Sequence, residues 1–154
     1  LSFARGDPGE QAALTDMAQV IEDLRANAER DGATARASFM GPPLVQVKAE
    51  QLKRSIGNLV NNAVRYAKTV EITGTRDARW LIVTVDDDGP GIPEEKREEV
   101  FRPFLRLDDA RNQDASGTGL GLSIARDIAR AHGGDVTLSD SPLGGLRAVV
   151  RLPV

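Results

Sequence analysis

The sequence predicts an α+β domain, a two-layer α/β sandwich in which a mixed, mostly antiparallel sheet of about five strands is covered on one face by three helices. The predicted elements run in the order helix, strand pair, helix, strand pair, helix, strand pair. A doubly wound parallel sheet would instead alternate single helices with single strands. The 154 residues, of which 40% are hydrophobic and 28% charged, suffice for one packed domain but not for two large ones.

Composition excludes several kinds of site. A net charge of -3 argues against nucleic-acid binding, because phosphate contacts need clustered Lys and Arg. The lack of cysteine excludes disulfides, thiolate metal sites and Cys nucleophiles, and the single histidine, His132, excludes a site with two imidazoles. His132 ends a predicted helix, where we expect its ring to satisfy free carbonyl groups. The apolar runs fall far short of the roughly 18–20 residues of a membrane span, which favours a cytoplasmic domain.

The chain is predicted to begin with a linker and a first helix. Residues 1–13, with two glycines and a proline, look like the end of an upstream helix followed by a linker, which leaves 14–154 as the domain. Helical spacing of apolar side chains predicts a helix that starts at Leu14 and ends at Gly32. Two short strands, 35–40 and 44–48, flank a Gly-Pro-Pro break.

The second predicted helix, 49–67, carries both an apolar face and a polar stripe. Asn58 and Asn62 lie one turn apart on the same side, with Arg65 beside them and Tyr66 at the border of the two faces. Asn oxygens suit a hard cation such as Mg²⁺, and Arg suits a phosphate. The stripe is therefore either the wall of a cleft or an ordinary solvated helix face. The apolar face consists of Leu52, Ile56, Leu59, Val60, Ala63 and Ala67.

Two strands, 69–75 and 80–86, lead into the acidic, glycine-rich turn DDDGPGIP. This order places the carboxylate of Asp87 at the edge of the sheet, and Gly89 and Gly91 allow a ligand to approach closely. A carboxylate there is suited to accept a hydrogen bond from an exocyclic amine such as that of adenine. The alternative is a simple tight turn, whereas a calcium loop would need D-x-D-x-D-G spacing.

The last third of the sequence combines a predicted loop with a glycine-rich helix start. A short acidic helix, 94–101, precedes a polar stretch, 106–117, which we predict to be a mobile loop. Alternating glycines in 116–122 then open a helix, 120–132, and would offer backbone N–H groups to a phosphate. Their spacing is neither the dinucleotide fingerprint nor a P-loop. Two final strands are predicted at 135–139 and 146–152.

Five segments in this order resemble the sequence boxes of the catalytic, ATP-binding domain of two-component sensor histidine kinases, of the GHKL (Bergerat-fold) superfamily. Residues 58–66 (NLVNNAVRY) resemble the asparagine box, and 87–92 (DDGPGI) the first glycine box. Residues 101–104 (FRPF) resemble the phenylalanine box, 117–122 (GTGLGL) the second glycine box, and 144–145 the last glycine pair. The similarity is closest to EnvZ-like osmosensor kinases and covers roughly residues 14–154.

The resemblance implies roles for the side chains at the phosphate end of an ATP site. Asn62 would be a Mg²⁺ ligand, with Asn58 supporting the metal and the phosphates. Arg65 would contact a phosphate, and Arg106 would approach the γ-phosphate from the predicted loop. The glycines that would lend backbone donors to the phosphates are Gly117, Gly119 and Gly121.

The resemblance also implies how the adenine would be held. Asp87 would accept the hydrogen bond of the adenine amine, Gly91 would leave room for the ring, and Tyr66 would border it. The other residues that it places against the nucleotide are Gly89, Ile92, Thr118, Leu120 and Leu122.

One position implies what the site does with ATP. In ATP-hydrolysing relatives of this superfamily, a glutamate four residues before the Mg²⁺ asparagine activates water. Here that position is Asn58, which cannot act as a general base at neutral pH. The resemblance therefore implies a site that shields ATP from water and passes its γ-phosphoryl group to a histidine.

The acceptor histidine is expected outside this chain, because no His-Glu-x-x-Thr-Pro-like box is present. The opening LSFARG resembles the end of the second helix of the dimerisation and phosphoacceptor domain that would carry it. The family implies a response regulator as partner and a homodimeric, full-length protein anchored in the inner membrane, whereas this fragment alone is expected to be monomeric. The alternatives are an anti-sigma-factor-type serine kinase and a nucleotide-sensing or interaction module without kinase activity.

Overall fold

The computed structural model describes residues 9–102 and 121–154, and every structural statement below concerns these two stretches. In chain order, their helices and strands are β1 (Ala13–Asp16), α1 (Met17–Arg30), β2 (Thr34–Met40), β3 (Leu44–Val47), α2 (Ala49–Tyr66), β4 (Thr69–Arg76), β5 (Trp80–Asp87), α3 (Gly121–Ala131), β6 (Asp135–Asp140) and β7 (Leu146–Pro153).

The main sheet has five strands in the order β2-β4-β5-β7-β6. Strand β2 runs parallel to β4, and the other three pairings are antiparallel, which confirms the predicted mixed, mostly antiparallel sheet. The parallel pair arises because β3 and α2 carry the chain from the end of β2 back to the start of β4. The predicted pairs at 69–86 and 135–152 are antiparallel neighbours, whereas β2 and β3 are not paired with each other.

The predicted start of the first helix was wrong by three residues. Residues 13–16 form strand β1, which pairs with β3 in a second, two-stranded sheet, and Leu14 is 64% exposed. Helix α1 begins at Met17, where the side chain of Asp16 accepts a hydrogen bond from the Gln19 backbone N–H. This N-cap and the hydrogen bonds to β3 satisfy the backbone that precedes the helix, so the spacing of Leu14 does not decide its conformation.

The core lies between one face of the main sheet and the helices. Alternate residues of the central strands point into it, among them Ile72 of β4 and Leu81, Val83 and Val85 of β5. Helices α1, α2 and α3, the three α-helices of the described residues, contribute to the same cluster. The predicted apolar face of α2 is buried except for Ala67, which follows the last residue of the helix: the buried members are Leu52, Ile56, Leu59, Val60 and Ala63.

The short acidic helix predicted at 94–101 is replaced by two 3₁₀ turns, Glu94–Lys96 and Glu99–Phe101. Eight residues are too few to offset the cost of nucleating an isolated α-helix, and 3₁₀ turns are common in such short connectors. Within 9–102 and 121–154, no helix has both the length and the apolar character required to cross a membrane.

Candidate functional site

A cleft opens between the C-terminal part of α2 and the turn that follows β5. Five residues that the sequence analysis singled out line it. Leu146, the first residue of β7, is the sixth and was not predicted. The lining residues are Asn62, Tyr66, Asp87, Gly91, Ile92 and Leu146.

Helix α2 presents the polar stripe at this cleft. Asn58, Asn62 and Arg65 are all partly buried, so the stripe is not a fully solvated helix face. The guanidinium carbon of Arg65 lies 5.9 Å from the centroid of the Tyr66 ring. Asn62 borders the cleft itself, whereas Asn58 lies one turn earlier, outside its lining.

Asn58 connects the stripe to the first residue of α3. Its side-chain Nδ2 donates a hydrogen bond to the Gly121 carbonyl at 3.3 Å. One turn earlier on α2, the buried Ser55 hydroxyl donates to the Ala125 carbonyl at 2.9 Å. These two contacts hold the N-terminal end of α3, with its partial positive charge, beside the asparagine stripe, where an anion is favoured.

Asp87, the last residue of β5, is buried, with an exposed fraction of only 5%. Its Oδ1 accepts hydrogen bonds from the backbone N–H groups of Gly89, at 2.9 Å, and of Leu146, at 3.0 Å. The backbone N–H of Gly145 donates to the Asp87 carbonyl at 3.0 Å. Asp87 therefore stabilises the turn, as the tight-turn alternative expected, and also lines the cleft.

Three glycines allow the turn, the end of α2 and the start of β7 to meet. A Cβ on Gly89 would lie 2.7 Å from the Tyr66 carbonyl oxygen, and Gly91 has a φ of 71°. A Cβ on Gly145 would overlap Asp87 Oδ1 and lie 2.6 Å from the Gly89 backbone nitrogen. The sequence signal for Gly145 was the glycine pair before the closing strand, to which no contact had been assigned.

Asp88, on the same turn, ties the start of β4 to the end of β5. Its Oδ1 accepts hydrogen bonds from the backbone N–H groups of Lys68 and Thr69, both at 2.9 Å. These bonds, that from Thr69 foremost, lower the pKa of the Asp88 carboxyl below its ordinary value. Asp88 is exposed and does not line the cleft.

The lowered pKa of Asp88 predicts a specific acid dependence of stability. Because the folded-state pKa lies below the unfolded one, the stabilisation is complete above about pH 4 and is lost as pH falls through the folded pKa. We expect the difference in thermal midpoint between the wild type and Asp88→Asn to be the same at pH 6 and pH 5 and to shrink as pH falls below about 4 towards pH 3. Thermal unfolding followed by circular dichroism across this range measures it. A difference that stays constant with pH would contradict the assignment.

A small apolar cluster forms one wall of the cleft. Ile92 and Leu146, both cleft-lining, are buried together with Val100 from the second 3₁₀ turn, and Leu122 and Leu138 pack against them. Leu122, predicted as a nucleotide contact, thus lies behind the wall, and Gly121 begins α3 beside Asn58.

The predictions for Phe104, Arg106 and the loop at 106–117 fall outside the described residues, as do those for Gly117, Thr118, Gly119 and Leu120.

His132 lies at the end of α3, as expected of a residue that satisfies helix carbonyls. Its ring Nδ1 lies 2.8 Å from the Ile128 carbonyl oxygen, so the Nδ1–H donates to that carbonyl. Its position agrees with a structural role, and it does not line the cleft.

Comparisons with known proteins match the chain to a known family. Residues 47–154 match the family described as "Histidine kinase-, DNA gyrase B-, and HSP90-like ATPase". The chain is 41% identical over 138 residues to the sensor histidine kinase CpxA of Escherichia coli, a match that covers 88% of this chain and 30% of the relative. It is 44% identical over 119 residues to the sensor histidine kinase GtrS of Pseudomonas aeruginosa, covering 77% of this chain and 23% of that protein.

A solved structure gives the same result. The ATP-binding domain of PrrB from Mycobacterium tuberculosis superposes with a TM-score of 0.74 at 27% identity, covering 94% of this chain and 98% of that one. The chain matches nearly the full length of that solved domain, although it spans less than a third of the length of the curated relatives. By its sequence boxes, its fold and these matches, the chain belongs to the family of histidine kinase-, DNA gyrase B- and HSP90-like ATPases and is homologous to sensor histidine kinases.

Proposed function

We propose that the chain is the catalytic domain of a sensor histidine kinase, which binds Mg-ATP in the cleft and transfers the γ-phosphoryl group to a histidine outside this chain. The observation that carries the proposal is the placement of Asp87. Its Oδ1 accepts hydrogen bonds from two backbone N–H groups, and Asp87 lines a cleft that is also lined by Asn62 and Tyr66 of helix α2. The adenine amine would donate to this carboxylate, and the ring would lie between Tyr66 and the wall formed by Ile92 and Leu146.

The phosphate end would lie towards Asn62, Arg65 and the start of α3. The described residues hold no cluster of three His, Cys, Asp or Glu side chains that could bind a metal. Neutral Asn oxygens together with ATP phosphates form the kind of hard oxygen set that Mg²⁺ prefers, so the residues present fit this ion. Asn62 would hold Mg²⁺, with Asn58 supporting the metal and the phosphates. The ion would supply neutralisation of phosphate charge.

The residues at this end would favour transfer over hydrolysis. Asn58 and Asn62 carry no basic group that could activate water, and no Glu or Asp lines the cleft besides Asp87, among the residues that the structure describes. Phosphoryl transfer mainly needs positioning and charge neutralisation, which the asparagines, Arg65 and the α3 N-terminus are placed to give. By the sequence resemblance alone, Arg106 and the glycines Gly117, Gly119 and Gly121 would also contact the phosphates.

The proposed partners are the domain that would carry the phosphoacceptor histidine and the response regulator that would receive the phosphoryl group. Residues 1–13 would be the end of the dimerisation and phosphoacceptor domain and its linker, and residues 14–154 the catalytic domain. A cognate response regulator would take the phosphoryl group from the histidine. The full-length protein would be a homodimer anchored in the cytoplasmic membrane, with this domain in the cytoplasm.

Phosphotransfer to a separate acceptor tests the proposal. We expect the chain, given γ-labelled ATP and Mg²⁺, to label the phosphoacceptor domain of a homologous sensor kinase at a histidine. Asn62→Ala should lower the rate at least about 100-fold, since an electrostatic contact to the transferred group is lost. The label should be stable to alkali and lost in acid. ATP binding without any labelling would contradict the kinase function and favour a nucleotide-sensing module.

A further inference from the structure

Arg126 of α3 has a guanidinium group that sequence reasoning did not single out. The side chain is 8% exposed, although arginine is among the residues least often buried. It belongs neither to the asparagine stripe nor to the residues that line the cleft. A buried cation that the proposed chemistry does not use needs another explanation, and its contacts supply one.

The contacts of Arg126 join three separate parts of the chain. Its NH1 lies 2.8 Å from Glu98 Oε1, and its NH2 lies 3.2 Å from Glu98 Oε2, a forked pair. Its NH2 also donates to the Val136 carbonyl of β6 at 2.9 Å. The guanidinium carbon stacks 3.6 Å from the centroid of the Phe101 ring. Planar stacking and forked donation together are properties that lysine does not share.

Two of these partners flank a residue of the cleft wall. Glu98 directly precedes the second 3₁₀ turn, Glu99–Phe101, and Phe101 is its last residue, so Val100 lies between the two partners. Val100 is buried with Ile92 and Leu146, the two apolar residues that line the cleft. The guanidinium thus fixes the turn from one side, and the turn supports the cleft wall from the other.

We propose that Arg126 is a positioning residue for the nucleotide site. It clamps residues 98–101 to α3 and β6. It thereby sets the position of the wall formed by Ile92 and Leu146, against which the adenine ring would pack. This inference rests on the proposed function, because it assigns Arg126 an effect on nucleotide affinity without any contact to the nucleotide.

A purely structural role makes a different prediction. If Arg126 only stabilised the fold, its replacement would loosen the whole domain, and nucleotide affinity would fall only as folded protein was lost. If it positions the wall, its replacement loosens residues 92–102 selectively, and affinity falls in protein that remains folded. Glu98 and Asp135, the carboxylates that pair with Arg126, are 80% and 41% exposed, so Arg126→Met leaves no buried unpaired charge and the domain is expected to stay folded.

The experiment measures ATP affinity and local hydrogen exchange in the same variants. We expect Arg126→Met to weaken ATP binding, measured by calorimetry with Mg²⁺ at 15 °C, by about 3- to 30-fold. Amides of 92–102 should exchange faster, whereas those of β4 and β5 stay unchanged. Arg126→Lys keeps the charge but not the forked hydrogen bonds or the stacking, so its ATP affinity should lie between those of the wild type and Arg126→Met.

Matched variants keep the inference testable even if Arg126→Met does not fold. Arg130→Met removes the next arginine of α3, which is 55% exposed and shares Asp135 with Arg126. It leaves the Glu98 fork and the Phe101 stacking of Arg126 in place and should bind ATP within about twofold of wild type. Glu98→Gln removes only the exposed partner of the fork and should weaken binding less than Arg126→Met, again with faster exchange confined to 92–102.

Each outcome has a defined reading. Wild-type affinity in Arg126→Met and Glu98→Gln would overturn the inference, and so would faster exchange that spreads over the whole domain. Failure of the wild-type chain itself to bind ATP would instead overturn the proposed function, and this inference with it.

Discussion

Asp87→Asn is expected to lower the affinity for ATP by about 10- to 100-fold while the domain stays folded, because a hydrogen bond to a charged group contributes about 1.5–3 kcal/mol. Asp87 Oδ1 accepts from the N–H groups of Gly89 and Leu146. An asparagine can satisfy both of them only with its amide oxygen. Its NH₂ group must then replace the second carboxylate oxygen and would face the adenine amine, donor against donor.

Asp86→Asn is the matched control for this prediction. Asp86 is also buried and directly precedes Asp87, but adjacent strand residues point to opposite faces of the sheet. Its carboxylate pairs with Arg147 on that other face, at 2.8 Å and 3.0 Å. The control should bind ATP like the wild type in a calorimetric titration. Equal affinity of wild type and Asp87→Asn would place the base elsewhere and contradict the assignment of the cleft.

Gly145→Ala is expected to destabilise the domain by about 3 kcal/mol and to weaken ATP binding, because the added methyl group has no space. A Cβ there would overlap Asp87 Oδ1 and approach both the Asp87 carbonyl oxygen and the Gly89 nitrogen to 2.6 Å. These atoms belong to the turn that holds the Asp87 carboxylate, so the start of β7 must separate from that turn. For a domain of this size, the thermal midpoint should fall by about 6–12 °C.

Gly57→Ala provides the opposite expectation on the same scaffold. Gly57 lies inside α2, and a Cβ there would meet only Leu24 Cδ2, at an ordinary 3.6 Å. Alanine favours a helix interior over glycine by up to about 1 kcal/mol, so this variant should unfold at a higher temperature than the wild type. Differential scanning calorimetry of both variants tests the pair. A Gly145→Ala midpoint within 2 °C of wild type would show that the turn can relax, at variance with the close contacts on this side of Asp87.

Much of the site was predictable because its residues lie on elements with strong local signals. The apolar spacing of Leu52, Ile56 and Leu59 defines the buried face of α2, which in turn fixes where Asn62 and Tyr66 point. The position of Asp87 after an alternating strand, and before a turn with two glycines, gave its place at the sheet edge. For these residues, local periodicity and turn chemistry are enough to predict their place at the cleft.

Leu14 shows where periodicity fails. Its helical spacing from Met17 is real, yet residues 13–16 pair with β3, and the helix starts only after the Asp16 cap. A partner strand some thirty residues away offers backbone hydrogen bonds that no local pattern can represent. The parallel pairing of β2 with β4, in place of a hairpin with β3, was invisible for the same reason.

The sequence by itself determined the fold class, the two asparagines on one helix face and the aspartate at the strand end, because each depends on the order and spacing of nearby residues. The tertiary structure decided which distant residues complete the site: Leu146 and Gly145 against Asp87, and Arg126 behind the Val100 turn. Their roles depend on which strands and helices become neighbours. That choice is made by the summed burial of the whole core, and a window of sequence does not contain it.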